Sequence, residues 1–191
     1  MIQYKQYDNC RGGKLKYFIY TFFFEQEKYI KLEKQEKYLL CLMYMYSDNK
    51  GKLLVTQTEI CKKANAYKSL LTDKKKKFIE LGFMLPSEND EVFMKIPNDV
   101  KSINEIEINE EFIIGRYKHL DNGTKLFYAY CLYMQKKQNK QYIEYSNDEI
   151  KAPFAGSINT IKKYCNELQK EHLLIRVRTS VSHSYHFKEI E

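Results

Sequence analysis

The chain of 191 residues is 43% hydrophobic and 30% charged, a usage that supports a sizeable core and fits neither a collagen-like nor a disordered protein. Its net charge is +7, from 32 Lys+Arg against 25 Asp+Glu, which favours an anionic partner. The longest near-unbroken apolar run, Tyr38 to Tyr46, is far below the roughly 18 residues that span a bilayer, so no membrane partner is expected.

Only Arg11, Arg116, Arg176 and Arg178 are arginines; lysine supplies the rest of the positive charge. With abundant Ile, Asn and Tyr this is the bias of AT-rich coding DNA, so the lysine count is discounted as evidence for function. Met1-Ile-Gln-Tyr-Lys5 lacks the charged-then-apolar order of a signal peptide, and the expectation is a cytoplasmic protein. Cys10, Cys41, Cys61, Cys131 and Cys165 are irregularly spaced with no C-x-x-C pair, which suits reduced thiols.

In chain order, residues 1–23 hold Gly12-Gly13, a hairpin-type turn, ahead of the run Leu15 to Phe23, read as an N-terminal strand or hairpin. A first unit over residues 24–98 opens with an apolar helix, Tyr38 to Met45. A polar turn follows at Ser47–Gly51, then a β-leaning run Leu53–Val55. Thr56-Gln-Thr-Glu59 is a capping box, in which hydroxyl and carboxylate each satisfy a backbone N–H at a helix start. A longer helix is expected over about Tyr67 to Leu81, with Leu71, Phe78 and Ile79 inward, and then strands Phe83–Leu85 and Val92–Ile96.

Residues 86–111 are acidic, carrying Glu88, Asp90, Glu91, Asp99, Glu105, Glu107, Glu110 and Glu111 against Lys95 and Lys101. Within the connector proper, 99–111, the alternation Ile103-Asn-Glu-Ile-Glu-Ile108 suits a strand.

The second unit, 112–191, repeats the first. Phe24, Tyr29, Leu32 and Lys37 align with Phe112, Tyr117, Leu120 and Lys125, ahead of the apolar helix Leu126 to Met134. The β-leaning run is Tyr142–Tyr145, and Ser146-Asn-Asp-Glu149 is a second capping box at the equivalent place. After Ala152-Pro-Phe-Ala-Gly156 comes an N-cap, Ser157, and a helix whose apolar stripe is Ile158, Ile161, Cys165 and Leu168. Leu173–Val177 and Tyr185–Phe187 form the closing strands. Each half therefore reads helix, short strand, helix, turn, helix, two-stranded hairpin. The expected fold is α+β and helix-dominated: two tandem winged helix-turn-helix repeats with an N-terminal strand or hairpin. The plainer alternative is two generic α+β repeats with no nucleic-acid role.

This pattern resembles tandem winged-helix proteins. More specifically it resembles the N-terminal DNA-binding region of plasmid replication initiators and phage replisome organisers from low-GC bacteria. The likeness is carried by Leu120, Lys125-Leu-Phe-Tyr128, Tyr145-Ser-Asn-Asp-Glu-Ile150, Thr160-Ile-Lys-Lys-Tyr-Cys-Asn-Glu-Leu168 and His172-Leu-Leu-Ile-Arg176. It implies sequence-specific binding of double-stranded DNA at repeated origin sites, replication proteins as further partners, and no catalytic centre.

In a winged helix the second helix of the turn enters the major groove and the wing reaches flanking phosphate or the minor groove. On the Ser157 helix, Asn159, Thr160 and Lys163 lie opposite the apolar stripe. Asn pairs bidentately with adenine and Thr contacts a thymine methyl, while Lys162 and Lys163 suit phosphates and Ser157 sits at the positive helix end. Arg176 and Arg178 at strand spacing, with the polar tip Thr179–Ser184, make a basic wing.

The first repeat offers Lys62, Lys63, Lys68, Ser69 and Lys74, but Leu70 stands where Thr160 is and the tip Ser87–Glu91 is acidic. Two readings stay open: auxiliary phosphate contact, or dimerisation with Leu70 at the interface. The two nearly all-apolar first helices likewise suit either packing of the repeats on each other or a homodimer.

No enzyme, cofactor or metal is expected. Gly13-Lys14 and Gly51-Lys52 lack the rest of a Walker sequence, and G-x-G-x-x-G, H-E-x-x-H and G-x-S-x-G are absent. His183 and His186, three apart on a strand, face opposite sides, and His119 and His172 have no acid or thiol at ligand spacing. Within DNA binding, a transcriptional repressor or relaxosome accessory protein is the rival to an initiator; outside it, a protein-interaction module such as a phage-encoded inhibitor.

Overall fold

The computed structural model of the chain describes residues 17–87, 91–178 and 182–190. The Gly12-Gly13 turn and the tips at 88–90 and 179–181 lie outside the described residues. In order, the elements are β1 (Phe18–Tyr20), α1 (Phe22–Glu25), α2 (Glu27–Ile30), α3 (Lys34–Met45), α4 (Gln57–Lys63), α5 (Leu70–Glu80), β2 (Glu105–Glu107), α6 (Asn122–Lys137), β3 (Ile143–Tyr145), α7 (Asn147–Lys151), α8 (Ile158–Lys170), β4 (Leu174–Arg178) and β5 (His183–Phe187). Short 3-10 turns occupy Glu110–Phe112 and Ala152–Phe154. The fold is α+β, with more helix than strand and small antiparallel sheets.

Local chemistry sets the helix starts. Both expected capping boxes form: Thr56 N–H donates to Glu59 at 3.0 Å and Ser146 N–H to Glu149 at 2.8 Å, each hydroxyl accepting the return bond at 3.2 Å. Ser157 caps α8 by accepting from Thr160 N–H at 3.2 Å. In the second half β4 and β5 form a hairpin from Leu174↔Phe187 to Arg178↔His183, and β3 adds on the far side of β5, giving the order β3-β5-β4. The first half keeps the same order in reduced form, through the bridges Lys52↔Phe93 and Met84↔Met94.

The repeat extends to features that alignment of side chains does not reveal. Left-handed backbone recurs at matching places: Gly51 and Asn139 after the first helix, Asn65 and Ala155 in the turn, Gly82 and His172 after the second helix. Lys37 and Lys125 are buried, and each Nζ donates at 2.8 Å to the carbonyl seven residues upstream, Ile30 and Lys118. Burial pushes the pKa of each down to about 8.

The two halves pack as one body. Strands β1 and β2 are the equivalent strands of the two repeats, and they pair antiparallel about Ile19↔Ile106. Matching bonds of 3.0 Å flank that pair, Thr21 N–H to Asn104 O and Ile108 N–H to Tyr17 O, so the relation between the repeats is two-fold in character. This is the strand expected at Ile103–Ile108, and its partner is the N-terminal run. The apolar helices α3 and α6 pack against each other, with Leu39, Leu40, Leu42 and Phe127 fully buried; each such side chain contributes about 1.5–3 kcal/mol. Packing of the two halves on each other accounts for most of the apolar surface of α3 and α6, while Tyr44, Leu132, Tyr133 and Met134 stay half-buried. Leu70, 2% exposed, is core rather than the interface residue expected as one alternative.

Candidate nucleic-acid interface

Helix α8 is amphipathic by sequence and by packing. Ile161, Tyr164, Cys165 and Leu168 are buried, and the helix lies across α6. The crossing needs Gly123, where an added Cβ would collide with the Tyr164 phenol. Opposite, Asn159, Lys162, Asn166 and Gln169 form an exposed stripe at i, i+3, i+7, i+10, and none forms a side-chain hydrogen bond or ion pair among the described residues. Asn166 and Gln169 extend the expected contact set; continuing the same helical period from Asn159 and Lys162 would have found them.

Other expected contact residues are engaged. Thr160 is half-buried and its hydroxyl lies 3.1 Å from that of Ser157. Lys163 pairs with Asp121 at 3.2 Å and Glu167 at 3.6 Å; the Asp121 hydrogen bond raises its pKa. On β4, Arg176 stands opposite Tyr185 and its guanidinium lies 5.6 Å from that ring's centroid. Arg176 thus shares the face of buried Leu174 and Tyr185, while Ile175 and Val177 are exposed on the other face. Arg178 ends β4, with its side chain outside the described residues.

The first repeat divides in the same way. Lys62 and Lys68 are exposed. Lys63 lies 4.9 Å from the Tyr46 ring centroid, and Ser69 donates to Asp73 at 3.3 Å rather than capping α5. Lys74 reaches Glu36 at 3.0 Å and Glu33 at 3.8 Å, and Lys77 donates to both Glu36 oxygens at 2.7 Å. Burial of Glu36 opposes its ionisation, but these bonds outweigh that and hold its pKa below the ordinary value. The lysine-rich face of α5 is therefore partly neutralised from beneath.

Helices α5 and α8 border one junction. Contacts between α3 and α6 advance in step from their N-termini: Lys34 to Asp121 at 2.6 Å, Gln35 to Asn122 at 3.0 Å, Tyr38 to Lys125 at 5.0 Å. Asn122 also donates to Ala64 O, at the turn between α4 and α5. Helix α5 leans on the start of α3 through Lys74 and Lys77. Helix α8 leans on the start of α6 through Tyr164 at Gly123 and through Glu167, which accepts from Thr124 at 2.6 Å. Since those two starts meet, both second helices lie beside the same end of the α3/α6 pair.

The histidines gather no metal site: among the described residues no three His, Cys, Asp or Glu cluster, and no helix is long and apolar enough to cross a membrane. His119, expected to lack an acidic partner, lies 3.2 Å from Glu171, a contact made by the fold rather than by sequence spacing. No protein-family model, no curated protein and no solved structure matches the chain.

Proposed function

We propose that the protein is a sequence-specific double-stranded DNA-binding protein of two tandem winged helix-turn-helix units, acting in replication initiation of a plasmid or phage. The observation that carries this reading is the unengaged polar stripe Asn159, Lys162, Asn166 and Gln169 on α8, the helix we read as the second of a helix-turn-helix. Two asparagines at helical spacing suit adenine edges, and Lys162 suits a phosphate. The placement of α5 beside the same junction supports a bipartite contact, with Lys62 and Lys68 adding phosphate contacts on an adjacent stretch of duplex. The role in replication rests on the resemblance of the second repeat.

The test is affinity for duplex DNA titrated against salt. Asn159→Ala is expected to cost about 1–3 kcal/mol on the preferred site and little elsewhere; equal losses on every sequence would sink base reading by Asn159. A second reading, a protein-interaction module without DNA affinity, is favoured by one feature: Ile175 and Val177 are 39% and 49% exposed on the outer face of the edge strand β4.

A further inference from the structure

Asp121 stands where the two repeats and α8 meet, and its two oxygens have different partners. Oδ1 accepts from Gly123 N–H at 2.8 Å and so caps α6. Oδ2 accepts from Lys34 of the first repeat at 2.6 Å and from Lys163 of α8 at 3.2 Å. The carboxylate is recessed, with its side chain 19% exposed, whereas those of Lys34 and Lys163 are 39% and 55% exposed. Glu167, 3.6 Å from Lys163, supplies a second anion. Two lysines against two carboxylates leave this part of the candidate interface neutral. An acidic oxygen receiving two ammonium groups is also the arrangement a backbone phosphate oxygen would make with them.

Resting on the DNA-binding reading, we infer that Asp121 sets the protein's affinity for the duplex backbone: it takes the place of a DNA phosphate at the junction and withholds Lys34 and Lys163 from it. Non-specific affinity is the phosphate term alone, and it sets the background against which a site is found. Base reading by Asn159 and Asn166 lies on the outer stripe of α8, away from this carboxylate. The acid therefore lowers binding to all sequences without lowering discrimination among them. The first repeat holds Lys74 and Lys77 on Glu36, which is 0% exposed and out of reach of a duplex.

Asp121→Asn tests this, because Asn keeps the capping acceptor and the shape while removing the charge. The probe is a random-sequence duplex of ~30 base pairs, its affinity followed by fluorescence anisotropy from about 50 to 200 mM salt. The variant is expected to bind more tightly, by about eightfold per released lysine near ~0.1 M salt, with a slope steeper by about one to two phosphate contacts. Lys34→Gln is expected to leave the wild-type slope unchanged but to remove about one contact from the slope of the Asp121→Asn protein. An Asp121→Asn slope equal to or shallower than that of wild type, in a protein with an unaltered melting profile, overturns the assignment while leaving DNA binding intact. A Lys34→Gln protein whose slope falls by itself also overturns it, since Lys34 would then already be on the phosphate. Failure of the wild-type protein to bind any duplex overturns the DNA-binding reading itself.

Discussion

Replacing Lys125 by Met removes an ammonium group that folding buries. Lys125 is 0% exposed; its Nζ donates to Lys118 O at 2.8 Å and lies 5.0 Å from the Tyr38 ring centroid. Burial lowers its pKa from 10.5 to about 8. Below about 8 the lysine is protonated in folded and unfolded chains alike, and the folded state bears the full cost of the buried charge. Above 10.5 it is neutral in both and that cost disappears. Between these values the unfolded chain holds the extra proton, so this group makes stability rise with pH. At about 1.4 kcal/mol per pH unit the window corresponds to about 3 kcal/mol.

Buried thiols act in the opposite sense. Burial raises the pKa of Cys41, Cys61, Cys131 and Cys165 above 9.0, so their unfolded forms ionise first and stability falls as pH passes that value. That effect is common to wild type and Lys125→Met and cancels in their difference. Near neutral pH the variant loses the bond to Lys118 O, a cost of about 1–3 kcal/mol, against relief of a similar size from the removed charge. The assay is urea denaturation of both proteins by circular dichroism, in steps across the window. The expected result is a difference in unfolding free energy that shifts by about 3 kcal/mol in favour of wild type as pH rises through it. A difference flat with pH would refute the claim that Lys125 is held against its charge.

Three further outcomes are expected. Lys162→Ala lowers the salt slope of duplex binding by about one, while Lys163→Ala lowers it less, because Lys163 is already paired with Asp121; equal effects in anisotropy titrations would contradict the pairing. Gly123→Ala costs about 2 kcal/mol in chemical denaturation, as its new methyl group meets the Tyr164 ring; a neutral result would mean that α8 does not cross α6 at that point. Ala155→Gly stabilises by about 0.5–1 kcal/mol, since alanine is held at φ 47° where glycine carries no steric penalty, and a lower melting temperature would speak against that backbone.

The repeat was legible because burial imposes the same residue types at the same places. Phe24 and Phe112, the capping boxes, and the lysines at 37 and 125 occupy positions whose environments recur. The cap of α8 and its buried stripe followed from Ser157 and from apolar residues at helical period. Ionic partners were not legible, because the fold, not spacing along the chain, brings them together. Lys163 meets Asp121, and Lys74 meets Glu36, only once the second helices dock on the starts of the first. Arg176 looked like a free wing arginine by its strand spacing; the sheet register instead sets it opposite Tyr185. The strands expected at Phe83–Leu85 and Val92–Ile96 are present only as the isolated bridges Lys52↔Phe93 and Met84↔Met94.

The most direct test of the central claim is selection of bound sequences from a random duplex library, followed by a hydroxyl-radical footprint on the winner. The account predicts one enriched site bound hundreds-fold above bulk DNA. Its protection should fall on one face of the duplex in two stretches, about one helical turn (~10 base pairs) apart, for α8 and α5. No enrichment, with weak and uniform binding to every fragment, would contradict it.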